Sequence, residues 1–297
     1  MEETIDENNL ESVVEEKASH ERVALVTGSS SGIGFETSVL LARNGFHTYA
    51  AVRNIKKSQA SFDIAKNDGL PLETIELDVT SDKSVNEAIN KILLESKRID
   101  VVVNNAGYAL VGALEDSSID EIKAQFETNL FGAVRIMCAV LPIMRNQRSG
   151  KIVNISSMGG RIAIPLDSAY HGTKFAIEGI SESLQYEVEQ FGIRVILIEP
   201  GAIKSNFFNN LKMASNAQRQ DSPYSQMMQK LSGGFSSVLE KAPPPTEVAK
   251  VILKAVTSEE PELRYTVGED ASAMIQAKRT MSDLEFGKLM KKQFLYE

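Results

Sequence analysis

Val23-Ala24-Leu25-Val26 is a continuous apolar run that passes directly into Thr27-Gly28-Ser29-Ser30-Ser31-Gly32-Ile33-Gly34. An uninterrupted run of this kind suits a strand buried on both faces, as in a parallel sheet covered by helices. Phe35, Val39, Leu40 and Ala42 then recur at helical spacing, and Asn44-Gly45 stops the segment. Strand, glycine-rich turn and helix in this order place bare backbone and a helix amino terminus at one point. A pyrophosphate satisfies both, because it needs close N–H donors and a favourable dipole.

The same alternation continues along the chain. Further strands are expected near 47–52, 74–77, 99–103, 151–155, 195–198 and 264–267, separated by helical patterns and by no repeat or linker. A polar helix is read around 58–67, and Ser81 looks like the N-cap of another running toward Glu95. The fold class is α/β: a doubly wound, mostly parallel seven-stranded Rossmann-like sheet with helices on both faces, in a single domain over 21–297. Residues 1–20, rich in acids and poor in aromatics, read as a flexible acidic tail.

Composition excludes several classes of function. A net charge of -8 with no Lys/Arg cluster gives no footprint for nucleic acid. No apolar run in the sequence approaches the roughly 20 residues of a membrane span, and the amino terminus lacks the order of a secretory signal. A cytoplasmic location is the expectation. The single cysteine, Cys138, lies in an apolar helical run and is expected to be buried and inert. His20, His47 and His171 are too scattered to suggest a metal site.

Two polar constellations stand out against this frame. Tyr170 and Lys174 are four residues apart on a helical pattern, so an ammonium can sit beside a phenol. Such a neighbour favours the phenolate and draws the tyrosine below its reference value of about 10, toward a range useful for acid–base work. At the end of the second strand, where an acid would bond the ribose of NAD, Val52 stands instead and Arg53 follows. A missing carboxylate and an adjacent guanidinium favour a 2'-phosphate, and hence NADP(H) over NAD(H).

TGSSSGIG at 27–34, NNAG at 104–107 and YHGTK at 170–174 together resemble the short-chain dehydrogenase/reductase family, in its single-domain branch. The resemblance spans roughly residues 22–270, and the stretch from Tyr170 onward is most similar to steroid- and retinol-dehydrogenase-like members. It implies catalytic roles for Asn129, Ser157, Tyr170 and Lys174. Asn129 would bend its helix and hold a water near the lysine. Ser157 is favoured over Ser156 because the family's active serine lies about a dozen residues before the tyrosine. Cofactor contacts implied are Gly28, Ser30, Ser31, Gly32, Ile33, Gly34, Arg53, Asp78, Val79, Asn105, Ala106, Gly107, Tyr170, Lys174, Pro200, Gly201, Ile203 and Ser205. Ser205 stands where a threonine is often found.

The expected activity is hydride transfer between NADP(H) and a carbonyl/alcohol pair, on an apolar substrate such as a steroid, retinoid or similar ketone or aldehyde. Residues 204–245 combine Phe207, Phe208, Met213, Tyr224, Met227, Met228 and Phe235 in an irregular pattern expected to form a substrate lid. The helices starting near Ser118 and Tyr170 resemble the family's dimer-forming bundle, so a homodimer is expected. A non-catalytic NADP(H)-binding sensor or scaffold of the same fold is the alternative; an epimerase or dehydratase using the same Tyr/Lys pair is disfavoured by the glycine spacing.

Overall fold

The structure, a computed structural model, describes residues 21–58, 62–63, 68–207, 211–219 and 221–294. The acidic tail, Phe208, most of the polar helix expected at 58–67 and the side chain of Phe235 lie outside the described residues. Seven strands form one sheet: β1 (Arg22–Thr27), β2 (Phe46–Val52), β3 (Leu72–Glu76), β4 (Val101–Asn104), β6 (Gly150–Ile155), β7 (Ile193–Pro200) and β9 (Arg264–Val267). Their order is β3-β2-β1-β4-β6-β7-β9, and every pairing is parallel. The fold class expected from sequence is the one observed, with the sheet wholly rather than mostly parallel.

Because side chains alternate across a strand, one apolar run feeds two cores. Val23 and Leu25 join the layer containing Tyr49, Ile92, Val102, Ile136, Ile152 and Val195. Ala24 and Val26 face the opposite layer, with Val103, Val153, Ile196, Ile198, Val248 and Ile252. The first layer is covered by α2 (Asp82–Ser96), α4 (Gly132–Gln147) and α5 (Ser168–Val188). The second is covered by α1 (Gly32–Arg43) and α7 (Pro245–Thr257). Each fully buried Leu or Ile contributes about 2 kcal/mol relative to an exposed one, so both layers hold the sheet firmly.

The chain winds one way from β1 to β2 and β3, and the other way from β4 onward. The carboxyl ends of β1 and β4 therefore diverge and open a crevice, the place where sheets of this topology bind ligands.

Three features depart from the sequence expectations. Leu110–Val111 (β5) pairs in parallel with Lys212–Met213 (β8), a small second sheet too short for any periodicity to announce. Cys138 is exposed, because α4 buries Ile136, Met137, Val140 and Met144 and turns the cysteine to the opposite face. By length and composition alone, the continuous helix Ile119–Gln147 could cross a membrane, although no apolar run was expected to. Within it, α3 (Ile119–Phe126) opens with a capping box between Ser118 and Glu121, and a π-turn at Glu127–Phe131 precedes α4. Its buried stripe packs on the first core layer, which accounts for its apolar content.

Candidate active site

The glycine turn lies at the crevice. Gly28 and Gly32 adopt positive φ values of 67° and 60°, which side chains with a Cβ rarely tolerate. A Cβ on Gly34 would come within 2.5 Å of both Gly28 O and Asn105 Nδ2, so only glycine lets α1 start this close to β4. Ser29 ties the turn to its neighbours: its N–H donates to Ala51 O at 3.0 Å and its hydroxyl to Val26 O at 2.8 Å. Ser31 occupies the N-cap of α1 without a side-chain cap bond, and no acid lies in the first helical turn. The amino terminus of α1 thus keeps its donors and its positive end for an anion.

Thr27 and the segment after β4 close one wall. Thr27 Oγ1 accepts from the N–H groups of Asn105 (3.0 Å) and Ala106 (3.1 Å), while Asn105 Nδ2 donates to Thr27 O at 2.9 Å. Asn104 reaches instead along the sheet, donating to Asn154 Oδ1 at 2.8 Å. The adjacent asparagines therefore hold β1 and β6 to β4. Thr27 as the reciprocal partner was not singled out from the sequence, where it reads only as the end of a strand.

Arg53 is exposed just beyond β2, where Val52 is buried and no carboxylate occupies the strand end. Asp78 accepts from Thr80 N–H at 3.0 Å and Thr80 hydroxyl at 2.8 Å. Burial pushes its carboxyl up, but the Thr80 bonds and the charges of Arg53 and Arg135 leave it below the usual carboxylate value. Val79 is buried against Gly132, where a Cβ would meet its Cγ2 at 2.7 Å. On the far wall, Gly201 N–H donates to Val267 O at 2.8 Å and Ala202 N–H to Asp270 Oδ2 at 2.7 Å. A Cβ on Gly201 would collide with that carboxylate. Asp270, 68 residues away in sequence, gave no local signal. Ile203 is buried, and Ser205 Oγ accepts from Phe207 N–H at 3.4 Å and sits beside Gly32.

Ser157, Tyr170, Lys174 and Asn129 converge beside this crevice. Ser157 caps the turn after β6, accepting from Gly159 N–H at 3.0 Å and donating to Pro200 O at 3.4 Å, and its hydroxyl lies on the Tyr170 side of the crevice. Ser156 is buried and points away, toward Glu178. Lys174 Nζ lies 5.5 Å from the centre of the Tyr170 ring and donates to Ile155 O at 2.7 Å. Asn129, inside the π-turn, accepts from Tyr108 N–H at 3.1 Å and donates to Tyr108 O at 2.8 Å and Thr173 Oγ1 at 3.4 Å. Asn129 thus lies where an extra residue in the helical turn loosens the local backbone bonding, a π-turn within the helix.

The electrostatics depart from the sequence reading. Burial pushes the Tyr170 hydroxyl above its ordinary value of 10; the Ser157 bond opposes this and the charge of Asp167 adds to it. Burial also lowers Lys174 from 10.5 to about 8, with Glu178 opposing. Desolvation thus prevails over the expected pull of Lys174 on the phenol, because it disfavours the charged form of each partner. Asp167, at the N-cap of α5, makes no cap bond; its Oδ1 is sealed from water without a partner, and burial pushes the carboxyl up to about 7.

An apolar shell surrounds the mouth. Phe207 stacks at a tilt 6.0 Å from the Tyr170 ring. Leu166, held at φ 68°, packs with Ala113, Tyr224, Met227, Met228 and Leu231. The helix α6 (Ser225–Lys241) carries the last three of these, and its approach is fastened by Ser222 hydroxyl donating to Asp116 at 2.8 Å and Tyr224 hydroxyl to Glu115 at 2.7 Å. From the carboxyl end, α8 (Asp283–Phe294) places Phe286 and Met290 against Met158 and Ile162, next to Ser157.

A family model described as short chain dehydrogenase matches residues 22–216. The chain belongs to the short-chain dehydrogenase family. This dehydrogenase is an oxidoreductase acting on CH–OH groups with a nicotinamide cofactor. It is 36% identical over 251 residues to 3-ketodihydrosphingosine reductase of Bacteroides thetaiotaomicron, covering 83% of this chain and 88% of that one. It is 35% identical over 251 residues to 17-beta-hydroxysteroid dehydrogenase type 1 of Mus musculus, covering 82% and 72%. A solved short-chain dehydrogenase from Streptomyces avermitilis superposes with a TM-score of 0.77 at 32% identity, covering 91% and 98%. Other dehydrogenases of the same fold have been solved with NADP or with NAD bound.

Proposed function

We propose that this dehydrogenase moves hydride between NADP(H) and the carbonyl or alcohol carbon of an apolar substrate, with Tyr170, Ser157, Lys174 and Asn129 as its working side chains. The observation that carries the reading is the convergence of Tyr170, Ser157 and Lys174 at the crevice, with Lys174 Nζ 5.5 Å from the centre of the Tyr170 ring. The glycine turn and the amino terminus of α1 would hold the pyrophosphate, Asp78 the adenine side, and Gly201 and Ile203 the nicotinamide side. Arg53 supports the phosphorylated cofactor, because β2 ends without the acid that would repel it. When bound, the nicotinamide supplies or accepts the hydride.

Tyr170 acts as the general acid for reduction. Its raised affinity for the proton keeps it protonated at neutral pH and ready to donate to the substrate oxygen. Ser157 bonds the same oxygen and supports the charge that develops there. Lys174 compensates the phenolate left behind, and Asn129 fixes the neighbouring backbone of Tyr108.

The apolar shell of Leu166, Phe207, Tyr224, Met227, Met228 and Leu231, part of a lid over 204–245, supports an extended apolar ketone or aldehyde. The sphingoid and steroid names of the two relatives point the same way. Half-exposed Phe131 and Phe175, on the π-turn and α5, support a homodimer through these helices. The test is oxidation of NADPH with a panel of steroid, sphingoid and retinoid carbonyls beside small polar ketones. Turnover of the apolar members supports the reading. Tight NADPH binding with no turnover of any member would replace it with the sensor.

A further inference from the structure

Behind the reacting hydroxyls lies a buried ionic cluster that the hydride-transfer scheme does not use. Glu178 follows Lys174 by one helical turn and is 5% exposed. Arg264 Nε donates to Glu178 Oε2 at 2.9 Å and lies 3.5 Å from Glu199 Oε1; its Nη2 reaches Glu182 at 2.6 Å. Arg161 donates to Glu199 at 2.8 Å, and Thr266 hydroxyl to the other Glu199 oxygen at 3.0 Å. The second oxygen of Glu178 and the hydroxyl of Ser156 are both sealed from solvent without a hydrogen-bond partner. Gly160 leaves them this room, since a Cβ there would lie 2.6 Å from Ser156 Oγ and 2.9 Å from Glu178 Cγ.

We propose that Glu178 is a positioning residue for the proton-transfer pair: held by Arg264, its carboxylate keeps the buried Lys174 ammonium charged beside Tyr170. The inference rests on the oxidoreductase reading above. It also separates the two adjacent serines, Ser157 facing the reacting oxygen and Ser156 the carboxylate behind.

The physical need is plain. An ammonium taken out of water loses its proton unless an opposite charge stands near. Lys174 is 9% exposed and its one hydrogen bond is to a neutral carbonyl, Ile155 O. The charged and titratable groups around the pair are Asp167, Tyr170, His171 and Glu182 on α5, Arg161 after β6, Glu199 on β7, and Arg264 on β9. Glu178, one helical turn from Lys174, adds to these the carboxylate whose charge acts on it. Glu178 is itself raised by burial and by Glu199, with Ser156 and Arg264 opposing. The Arg264 guanidinium, 2.9 Å from Glu178 Oε2, favours the carboxylate form against that rise.

The experiment is a lysine side-chain NMR titration of the full cofactor-free chain, with Lys174 assigned by its loss in Lys174→Met. The wild-type midpoint is expected at about 8. Glu178→Gln, isosteric and neutral, is expected to lower it by about one pH unit, a tenfold change in the deprotonation equilibrium. Glu199→Gln removes another buried carboxylate of the same cluster and is expected to leave the midpoint in place. Glu178→Asp is expected to give a smaller downward shift, and reads the same dependence if the glutamine variant does not fold. In the reduction assay the high-pH limb should move down with Glu178→Gln, costing roughly tenfold in turnover near pH 9. An unmoved midpoint in folded Glu178→Gln, or equal shifts in Glu178→Gln and Glu199→Gln, overturns the proposal. Absence of carbonyl turnover in the wild type would remove the enzymatic reading alone, because the NMR midpoints do not depend on it.

Discussion

His171 grips Gly159: its Nδ1 lies 2.8 Å from the Gly159 carbonyl oxygen, and a Cβ on that glycine would come within 2.7 Å of the ring. The other ring nitrogen accepts from Ile164 N–H at 3.1 Å. With a carbonyl on one side and an N–H on the other, the ring must be neutral, carrying its proton on Nδ1. It fastens the helix bearing Tyr170 to the turn bearing Ser157. His171→Leu would orphan two buried main-chain groups and is expected to cost about 3 kcal/mol in urea unfolding. Burial holds the imidazole below its ordinary 6.5, with the Gly159 bond opposing. The unfolded imidazole thus binds more protons just below that value, so the His171 contribution to stability is complete above pH 6.5 and falls as pH drops. The difference between wild-type and His171→Leu unfolding midpoints from pH 5 to 8 should therefore shrink toward pH 5. A difference constant across that range would contradict the assignment.

Asp167 works in the opposite sense. The unfolded carboxyl releases its proton near 3.8 and the folded one near 7, so between these values the folded chain holds the extra proton. Stability therefore declines as pH rises from 4 to 7, and the full penalty stands above 7. Asp167→Asn is expected to raise stability at pH 8 by about 2 kcal/mol, half of what the displacement alone implies because the residue keeps partial contact with water. Below pH 4 the variant and the wild type should coincide. Thermal melts at pH 3.5 and 8 would read both limits.

Two glycines predict opposite outcomes for the same substitution. Gly34→Ala brings a methyl within 2.5 Å of Gly28 O, and the turn must open to admit it. A loss of about 2 kcal/mol is expected, with weaker NADPH binding by fluorescence titration. Gly179, exposed within α5, has nothing within 4 Å of its Cβ position. Gly179→Ala should stabilise by about 0.5–1 kcal/mol through helix propensity. Equal effects at the two positions would mean that the turn is less tightly packed than its geometry indicates.

Arg53 bears on cofactor choice. Arg53→Asp would place a carboxylate near the position where the ribose 2' group is expected. The ratio of NADPH to NADH affinity should fall by about 100-fold, the size of a charge-assisted pair converted to a repulsive one. Isothermal titration with both cofactors measures this directly, and an unchanged ratio would remove Arg53 from cofactor selection.

Much of this protein was legible in order along the chain. Continuous apolar runs such as 23–26 and 195–198 fix strands buried on both faces, because only a sheet covered by helices on each side can use them. The glycine turn and the Tyr170–Lys174 spacing depend on local backbone geometry and on helical periodicity, so sequence carries them. What sequence could not carry depends on pairs distant along the chain. The Asp270 bond to Ala202, the pairing of Leu110–Val111 with Lys212–Met213, and the contact of Arg264 with Glu178 each join segments that no local pattern relates. Nor does spacing reveal desolvation. The four-residue interval alone suggested that Lys174 would pull Tyr170 down, but burial of both side chains in the folded crevice pushes the phenol up and the ammonium down. The sequence by itself determined which groups meet at the site; tertiary structure decided their charge, because desolvation depends on everything packed around them.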